Sequence, residues 1–352
     1  MVPARTLIVG AGAITAVGNC VPQIWASVRT GLSRYSQPGP VDRDGEPIRM
    51  ALVSEAELEP LRIESEPTGL SCRQRRMVRL GAPALREASE GLALAEPPPL
   101  FLALPRPETK KAPSPAPMLA ALAEQAGVSF DEQASQCFPV GRAGFFLALE
   151  QGIRVLATGR VSTVLVGGVD THADLRGLAT LDAERRLLGE RVSDGFVPGE
   201  GAGFLVLARS TTQSRGPSTW IAGVGVAQDP GHRHAQEPAR GEGLWNALNG
   251  MFASSPLGEA RIASTFAGLN GESLGAKEWG VAKIRHRECF ADGDTLDHPA
   301  DCYGDIGAAT GAVLVALAHT ALMKQQRRGP ILVWASSDHE ERGCALVDRD
   351  IT

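Results

Sequence analysis

The chain starts its pattern twice. "LIVGAGAI" at residues 7–14 is echoed by "WIAGVGVA" at residues 220–227, and a polar Gly-Pro segment, "TTQSRGPST" at 211–219, stands just before the second copy. After each copy, helix-like and strand-like runs alternate. In the first stretch "PQIWASVRTG" (22–31) reads as a helix with Pro at its start and Gly at its stop. "CRQRRMVRLGAPALREASEGLAL" (72–94) reads as a long helix, "LFLAL" (100–104) as a strand between proline-rich segments and "MLAALAEQAG" (118–127) as a helix closed by Gly. "GRAGFFLALEQGIRVLATG" (141–159) is an apolar helix; "VSTVLVGGVD" (161–170) and "GFLVLAR" (203–209) are buried strands. In the second stretch "GEGLWNALNGMFA" and "GAATGAVLVALAHTALMKQQ" read as helices, and "IASTFAGL", "PILVWASS" and "CALVD" as strands. This pattern predicts two α/β units with buried sheets, residues 1–210 and 211–352, related by duplication.

Composition excludes several classes. With 43% hydrophobic and 21% charged residues the chain is ordinary globular protein. A net charge of -5 argues against a nucleic-acid partner, which asks for a basic face; the basic run Cys72–Arg79 reads as a solvated helix face or subunit rim. No apolar stretch is long enough to span a bilayer, and the N-terminus carries no signal-peptide pattern, so a soluble cytoplasmic protein without membrane contact is expected. The six cysteines are far apart and form no C-x-x-C pair, which argues against zinc and redox motifs. "HRH" (232–234) lies in a Pro/Gly/Arg-rich loop and reads as solvated. "GAGAIT" (10–15) suggests a dinucleotide fingerprint, but Thr15 replaces its third glycine and the first acidic residue is Asp42. No cofactor is expected.

Several stretches resemble the β-ketoacyl synthase branch of the thiolase superfamily: "LIVGAGAITAVGN…IWASVRTGLS", "ALEQGIRVLATGRVSTVLVGGVDT", "DGFVPGEGAGFLVLAR" and "YGDIGAATGAVLVALA". The resemblance implies the thiolase-like fold, two duplicated βαβαβαββ halves layered α-β-α-β-α, usually a homodimer. In the loop "DGFVPGEGAG", Pro198 sets a turn, Gly199 and Gly201 allow close backbone approach, and Glu200 can accept backbone N–H bonds. That loop reports fold more than activity.

The chemistry of such an enzyme needs a cysteine on a sharp strand-to-helix turn and two histidines that stabilise an enolate. Counting back from Gly159 puts the cysteine's position at Arg142, which cannot form a thioester. Cys137 is the nearby thiol; it is either an edge or buried cysteine, or a displaced nucleophile. "FAGLNGESLGAKEW" (266–279) occupies the first histidine's place, with Leu269 or Asn270 nearest the expected position and Glu272 and Trp279 as candidate binding residues of a structured loop or partner surface. The second histidine aligns with Asp305, whose carboxylate would repel an enolate. "SDHEERG" replaces the glycine-rich segment near the C-terminus, with His339 read as solvated. Arg142 at a helix start opposes the helix dipole, so an ion pair with Asp305 is the expected compensation.

Three functions follow from the resemblance. The first is a non-enzymatic adaptor, scaffold or chaperone, similar to thiolase-like proteins beside bacterial secretion effectors. The second is a chain-length-factor-like partner of an active ketosynthase, which would also meet an acyl carrier protein. The third is an acyltransferase using Cys137.

Overall fold

The computed structural model describes residues 5–62, 69–94, 96–107, 114–210, 217–255 and 260–350. The polar segment expected to join the halves falls largely outside them. The first half runs β1 (Thr6–Thr15), α1 (Val21–Thr30), α2 (Cys72–Ser89), β2 (Pro99–Ala103), α3 (Ala116–Ala126), β3 (Asp131–Phe138), α4 (Gly144–Ala157), β4 (Thr163–Thr171), α5 (Leu175–Ala183) and β5 (Glu200–Arg209). The second runs β6 (Thr219–Gln228), α6 (Glu242–Ser254), β7 (Ile262–Ala267), α7 (Ser273–Arg285), β8 (Phe290–Asp297), α8 (Ala300–Tyr303), α9 (Thr310–Met323), β9 (Ile331–Ser336) and β10 (Glu341–Arg349).

The sheet order, β3-β2-β4-β5-β1-β6-β10-β9-β7-β8, is one five-strand pattern written twice in mirror order. β1 is antiparallel to β5, β5 to β4, and β4 is parallel to β2 and β2 to β3; β6, β10, β9, β7 and β8 repeat each relation. A short antiparallel pairing, Thr6 with Ile221 to Ile8 with Thr219, joins the halves. Even the register break recurs, between Pro99 and Phe101 in one half and between Ile262 and Ser264 in the other.

Five layers result, α-β-α-β-α. α4 packs on β4 and β2 of its own half and on β10 and β6 of the other, while α9 packs on β9 and β10 and on β5 and β1. These two helices are therefore the middle layer. α9 is apolar on every side, as a helix between two sheets must be, and Ala312 to Ala318 are all buried. Removing one such side chain, Leu317→Ala for instance, would cost about 2–5 kcal/mol. α2 with α3, and α6 with α7, cover the outer faces over separate cores.

The repeated opening motif has a packing cause. The structure extends β1 through its glycines instead of ending there, because α2 lies directly on them. A Cβ on Gly12 would sit 2.1 Å from the Ala84 carbonyl oxygen, and one on Gly225 in β6 would sit 2.0 Å from that of Ala247 in α6. Each half needs a bare backbone where its outer helix crosses its first strand. β3 and β8, absent from the sequence reading, are edge strands whose exposed, polar residues carry no core-facing alternation.

Candidate functional site

The turn between β3 and α4 carries Arg142, where the family resemblance expects a nucleophile. Gly141 takes a left-handed conformation, φ +81°, and its N–H donates to the Leu104 carbonyl at 3.1 Å. The Ser337 hydroxyl donates to the Val140 carbonyl at 2.6 Å and accepts from Ala143 N–H at 3.0 Å. The turn is thus fixed by β2's end on one side and β9's end on the other, and Arg142 points inward, 7% exposed.

Its guanidinium meets carboxylates. Nε donates to Asp305 Oδ2 at 2.8 Å, Nη2 donates to the same oxygen, and Nη1 donates to Asp338 Oδ1 at 2.9 Å. Asp305 is held in turn. Its Oδ1 accepts from Gly307 N–H at 2.8 Å, and Asn270 Nδ2 donates to Oδ2 at 2.7 Å. The backbone of Asp305 pairs with the "DGFVPGEGAG" loop, through Gly199 N–H to the Asp305 carbonyl and Asp305 N–H to the Val197 carbonyl, both 2.8 Å. Gly199 is obligatory there, since a Cβ would lie 2.4 Å from the Tyr303 carbonyl oxygen. Glu200 is fully buried; it accepts from Val53 N–H at 2.8 Å and from Arg76 Nε at 2.6 Å, not from its own turn. Pro198 forms the bridge to Asp305, and Gly201 pairs with Thr15 and Asp170 across the sheet.

Three side chains that the sequence reading passed over complete the cluster. Arg186 makes a two-pronged contact with Glu272, at 2.8 and 2.9 Å, and reaches Asp338 at 2.9 and 3.0 Å. Arg233, from the β6–α6 loop, lies 2.7 Å from Glu272. Asp338 joins Arg142 to Arg186. Arg186, Arg233 and Asp338 lie on three separate segments that only the fold brings together. Both Arg142 and Arg186 also lie over the Phe196 ring, at 5.7 and 5.2 Å.

Protonation states follow from the pairing. Burial alone would lower the Arg142 pKa, but Asp305 and Asp338 more than reverse that and hold it well above its ordinary value. Burial would raise Asp305, yet Arg142 and then His172 hold it well below the carboxylate range; Asp338 is held far down by Arg142 and Arg186 against its own burial. The cluster is ionised at neutral pH, and little space remains in it. The void bounded by Arg142, Leu269, Asn270 and Asp305 is about 10 Å³, and that beside Arg233 and Glu272 about 30 Å³.

Other expectations are corrected. Trp279 is not in this site: it lies in α7, 6% exposed, its ring stacked on Trp334 at 5.4 Å in the outer core. "GESLGAKEW" is the start of a helix, not a loop; its polar Glu278 turns inward to buried Arg342, at 2.6 Å, which disguised the pattern. The segment "SDHEERG" is not a solvated loop either, since Arg342 is 1% exposed and Glu341 9%. His339 is half-buried against His232 and His234.

Cys137 sits in β3, before the turn and apart from the cluster. It lines a larger cavity of about 760 Å³ together with Cys72, Met77, Leu104 and Met118. Burial pushes its thiol up to about 11, and among the described residues no histidine lines that cavity. Among the described residues, too, no helix is long and apolar enough to cross a membrane, and no cluster of side chains is arranged to hold a metal ion.

Residues 143–213 match the beta-ketoacyl synthase N-terminal domain family. No curated protein matches the chain. Solved structures similar to it include the ketosynthase from module 6 of the bacillaene synthase of Bacillus subtilis 168, with 14% identity over 99% of this chain and 72% of that one, TM-score 0.77. The ishigamide ketosynthase/chain length factor is 16% identical over 97% and 99% of the two chains, TM-score 0.72. A ketosynthase in complex with its chain length factor from Xenorhabdus doucetiae is 15% identical over 98% of each, TM-score 0.76. At these identities the likeness is one of fold.

Proposed function

We propose that this chain, which has the thiolase-like fold of the β-ketoacyl synthases, is a non-catalytic subunit that works by binding another protein. One observation carries the reading. Arg142 stands on the strand-to-helix turn and is locked there by Asp305 and Asp338. An acyl thioester needs a thiolate on that turn, donors for the developing oxyanion and room for the acyl carbonyl. Here the turn offers a cation already paired with two carboxylates; the void it shares with Asn270 is about 10 Å³, and the neighbouring cleft of about 230 Å³ is lined by the same paired charges and no thiol.

An acyltransferase using Cys137 is disfavoured by the same standards. A thiol pushed up to about 11, with no histidine beside it in the cavity, is almost wholly protonated at neutral pH.

A chain-length-factor-like subunit is the more specific form of the proposal. It is favoured by the apolar cavity of about 760 Å³ beside β3, the exposed edge strand of the first half. An open strand edge is a ready pairing surface, and Leu175, 74% exposed and next to the cavity-lining Asp174 and Arg176, adds an apolar contact. Two of the similar solved structures are a ketosynthase with a chain length factor, and another is an acyl carrier protein in complex with its ketosynthase. A homodimer through the same edge, and an adaptor for secretion effectors, are the other forms; no feature of the site selects the adaptor.

The test is intact-protein mass after incubation with acyl-CoA and acyl carrier protein thioesters, alongside Cys137→Ala. The expected result is no adduct on either protein. An acyl adduct on the wild type that vanishes in the variant would make Cys137 a nucleophile and end the non-catalytic reading. Co-purification with a ketosynthase subunit, against a stable homodimer alone, separates the two oligomeric forms.

A further inference from the structure

We propose that the loop between β6 and α6, residues 229–241, is a lid over the charged cluster, latched by three histidines and released by their protonation. The latch is a contact between elements far apart in sequence. The His234 ring lies 4.8 Å from that of His339 and the His232 ring 5.7 Å, nearly parallel to it. His339 stands on the turn between β9 and β10, next to Asp338 of the cluster. Arg233, between the two loop histidines, reaches Glu272 at 2.7 Å and approaches Asp338 at 3.7 Å. His234 and His339 also wall a cleft of about 230 Å³ whose floor includes Arg142, Arg186 and Asp338. Opening the loop would uncover that floor.

The charges around the rings give the direction. Arg106, from the segment after β2, faces His339 and is paired with Glu341. Asp338 is paired with Arg142 and Arg186. Glu340 is the remaining carboxylate facing His232 and His339. Imidazolium charge added at His339 meets Arg106 and the other two rings, opposed by Glu341, which Arg106 already pairs, and by Glu340. Neutral rings stack, and charged rings repel. The closed loop is therefore favoured while His339 is neutral and weakened as acid protonates it. The lowered pKa of His339, caused first by burial and then by Arg106 and His234, has the same sign.

The loop is bounded by glycines. Gly241 takes φ +67° at the start of α6, and Gly231 lies where a Cβ would be 2.5 Å from the Pro238 carbonyl oxygen. Outside the latch, the described backbone bonds that tie the loop to the rest of the protein are few: Asp229 N–H donates to the Glu340 carbonyl at 2.7 Å, and the Asp229 carboxylate accepts from Gly231 and Gly243. This inference does not depend on whether the subunit is catalytic.

Hydrogen–deuterium exchange of the full chain at pH 7.5 and pH 5.5, corrected for intrinsic rates, tests it. Protection across residues 230–240 is expected to fall about tenfold or more at pH 5.5, while α9 stays protected. The double variant His232→Gln/His234→Gln is expected to show equal protection in this loop at both pH values. Should that variant not fold, His339→Gln provides the same reading. Unchanged corrected protection in the wild type, or the same acid loss in the histidine-free loop, overturns the proposal.

Discussion

Two neighbouring regions of this protein are opposites. The cluster at Arg142 has dense, mutually paired charge, almost no internal void and a cleft of about 230 Å³ beside it; the cavity at Cys137 is larger, about 760 Å³, and carries a thiol among apolar residues with Arg73, Arg106, Asp174 and Arg176 at its wall. They share a boundary, since Arg73 and Arg106 line both the cavity and the cleft above the cluster. A working acyl-transfer site needs space, a thiolate and a polarising group in one place. Here the thiol and the larger space lie on one side of the β3–α4 turn and the paired charges of the cluster on the other. The difference shows how a site can lose its chemistry while its scaffold stays intact: Gly141, Ser337 and the "DGFVPGEGAG" loop still fix the turn and the Asp305 backbone, but the side chains they present neutralise each other.

The largest effect should come from breaking the cluster on one side. Asp305→Ala leaves Arg142 buried with Asp338 alone, and Arg142→Ala leaves Asp305 with Asn270 and a distant His172. Each should cost about 3–5 kcal/mol, read from urea or guanidinium midpoints, because a buried charge loses its partner. The double change Arg142→Met/Asp305→Leu should cost far less than the sum, since an apolar pair of similar volume can replace a buried ion pair. Single variants as stable as wild type would show that the cluster is not a plug. An additive double would show that the two residues act separately.

Acid should separate the two regions next. Asp305 and Asp338 have pKa values below those of the unfolded chain, so their contribution is complete above about pH 4 and is lost as pH falls below it. The cavity lining has no such carboxylate pair. A second, gentler slope belongs to His319 in the middle layer, brought down to about 4 by burial and in contact with Thr219 at 2.6 Å. Below about pH 6.5 the unfolded state takes that proton first, so stability falls by about 3 kcal/mol between pH 6.5 and pH 4. His319→Gln should flatten this slope and leave the steep loss below pH 4. A variant profile identical to wild type would assign the upper slope elsewhere.

Sequence alone revealed much of this architecture because its signals were local. The two opening motifs, the apolar runs of β4, β5 and β9, and the all-apolar α9 each state their burial in consecutive residues. The repeated glycines were legible as a motif, though their cause, a helix crossing each first strand at Gly12 and Gly225, is a tertiary fact. What stayed hidden was non-local. β3 and β8 lacked alternation because they are the edge strands and most of their side chains are exposed. α7 looked like a loop because Glu278 is buried against Arg342, a partner 64 residues away. Arg142 with Asp305 was readable because both occupy motif positions. Arg186, Arg233 and Asp338 were not: Arg233 and Asp338 lie in charged stretches that read as loop, Arg186 in no motif, and three loops must meet before they touch.

The smallest effect is at the cavity, and it tests the contrast from the other side. Cys72 is exposed at the first residue of α2, while Cys137 is part-buried in β3 and its thiol is pushed up to about 11. At pH 8 the thiolate fraction of Cys137 is then about a thousandth, so alkylation by iodoacetamide should be slow there and at least about tenfold faster at Cys72. Peptide mapping against time reads the ratio directly. Cys137→Ala should change stability by only about 1 kcal/mol, because the side chain already faces a cavity and leaves little new void. Occupation of the cavity by an apolar chain or a partner's side chain should protect Cys72 and Cys137 together, since both line it. A Cys137 that reacts as fast as Cys72 would mean a stabilised thiolate, and would return chemistry to the larger of the two spaces beside the β3–α4 turn.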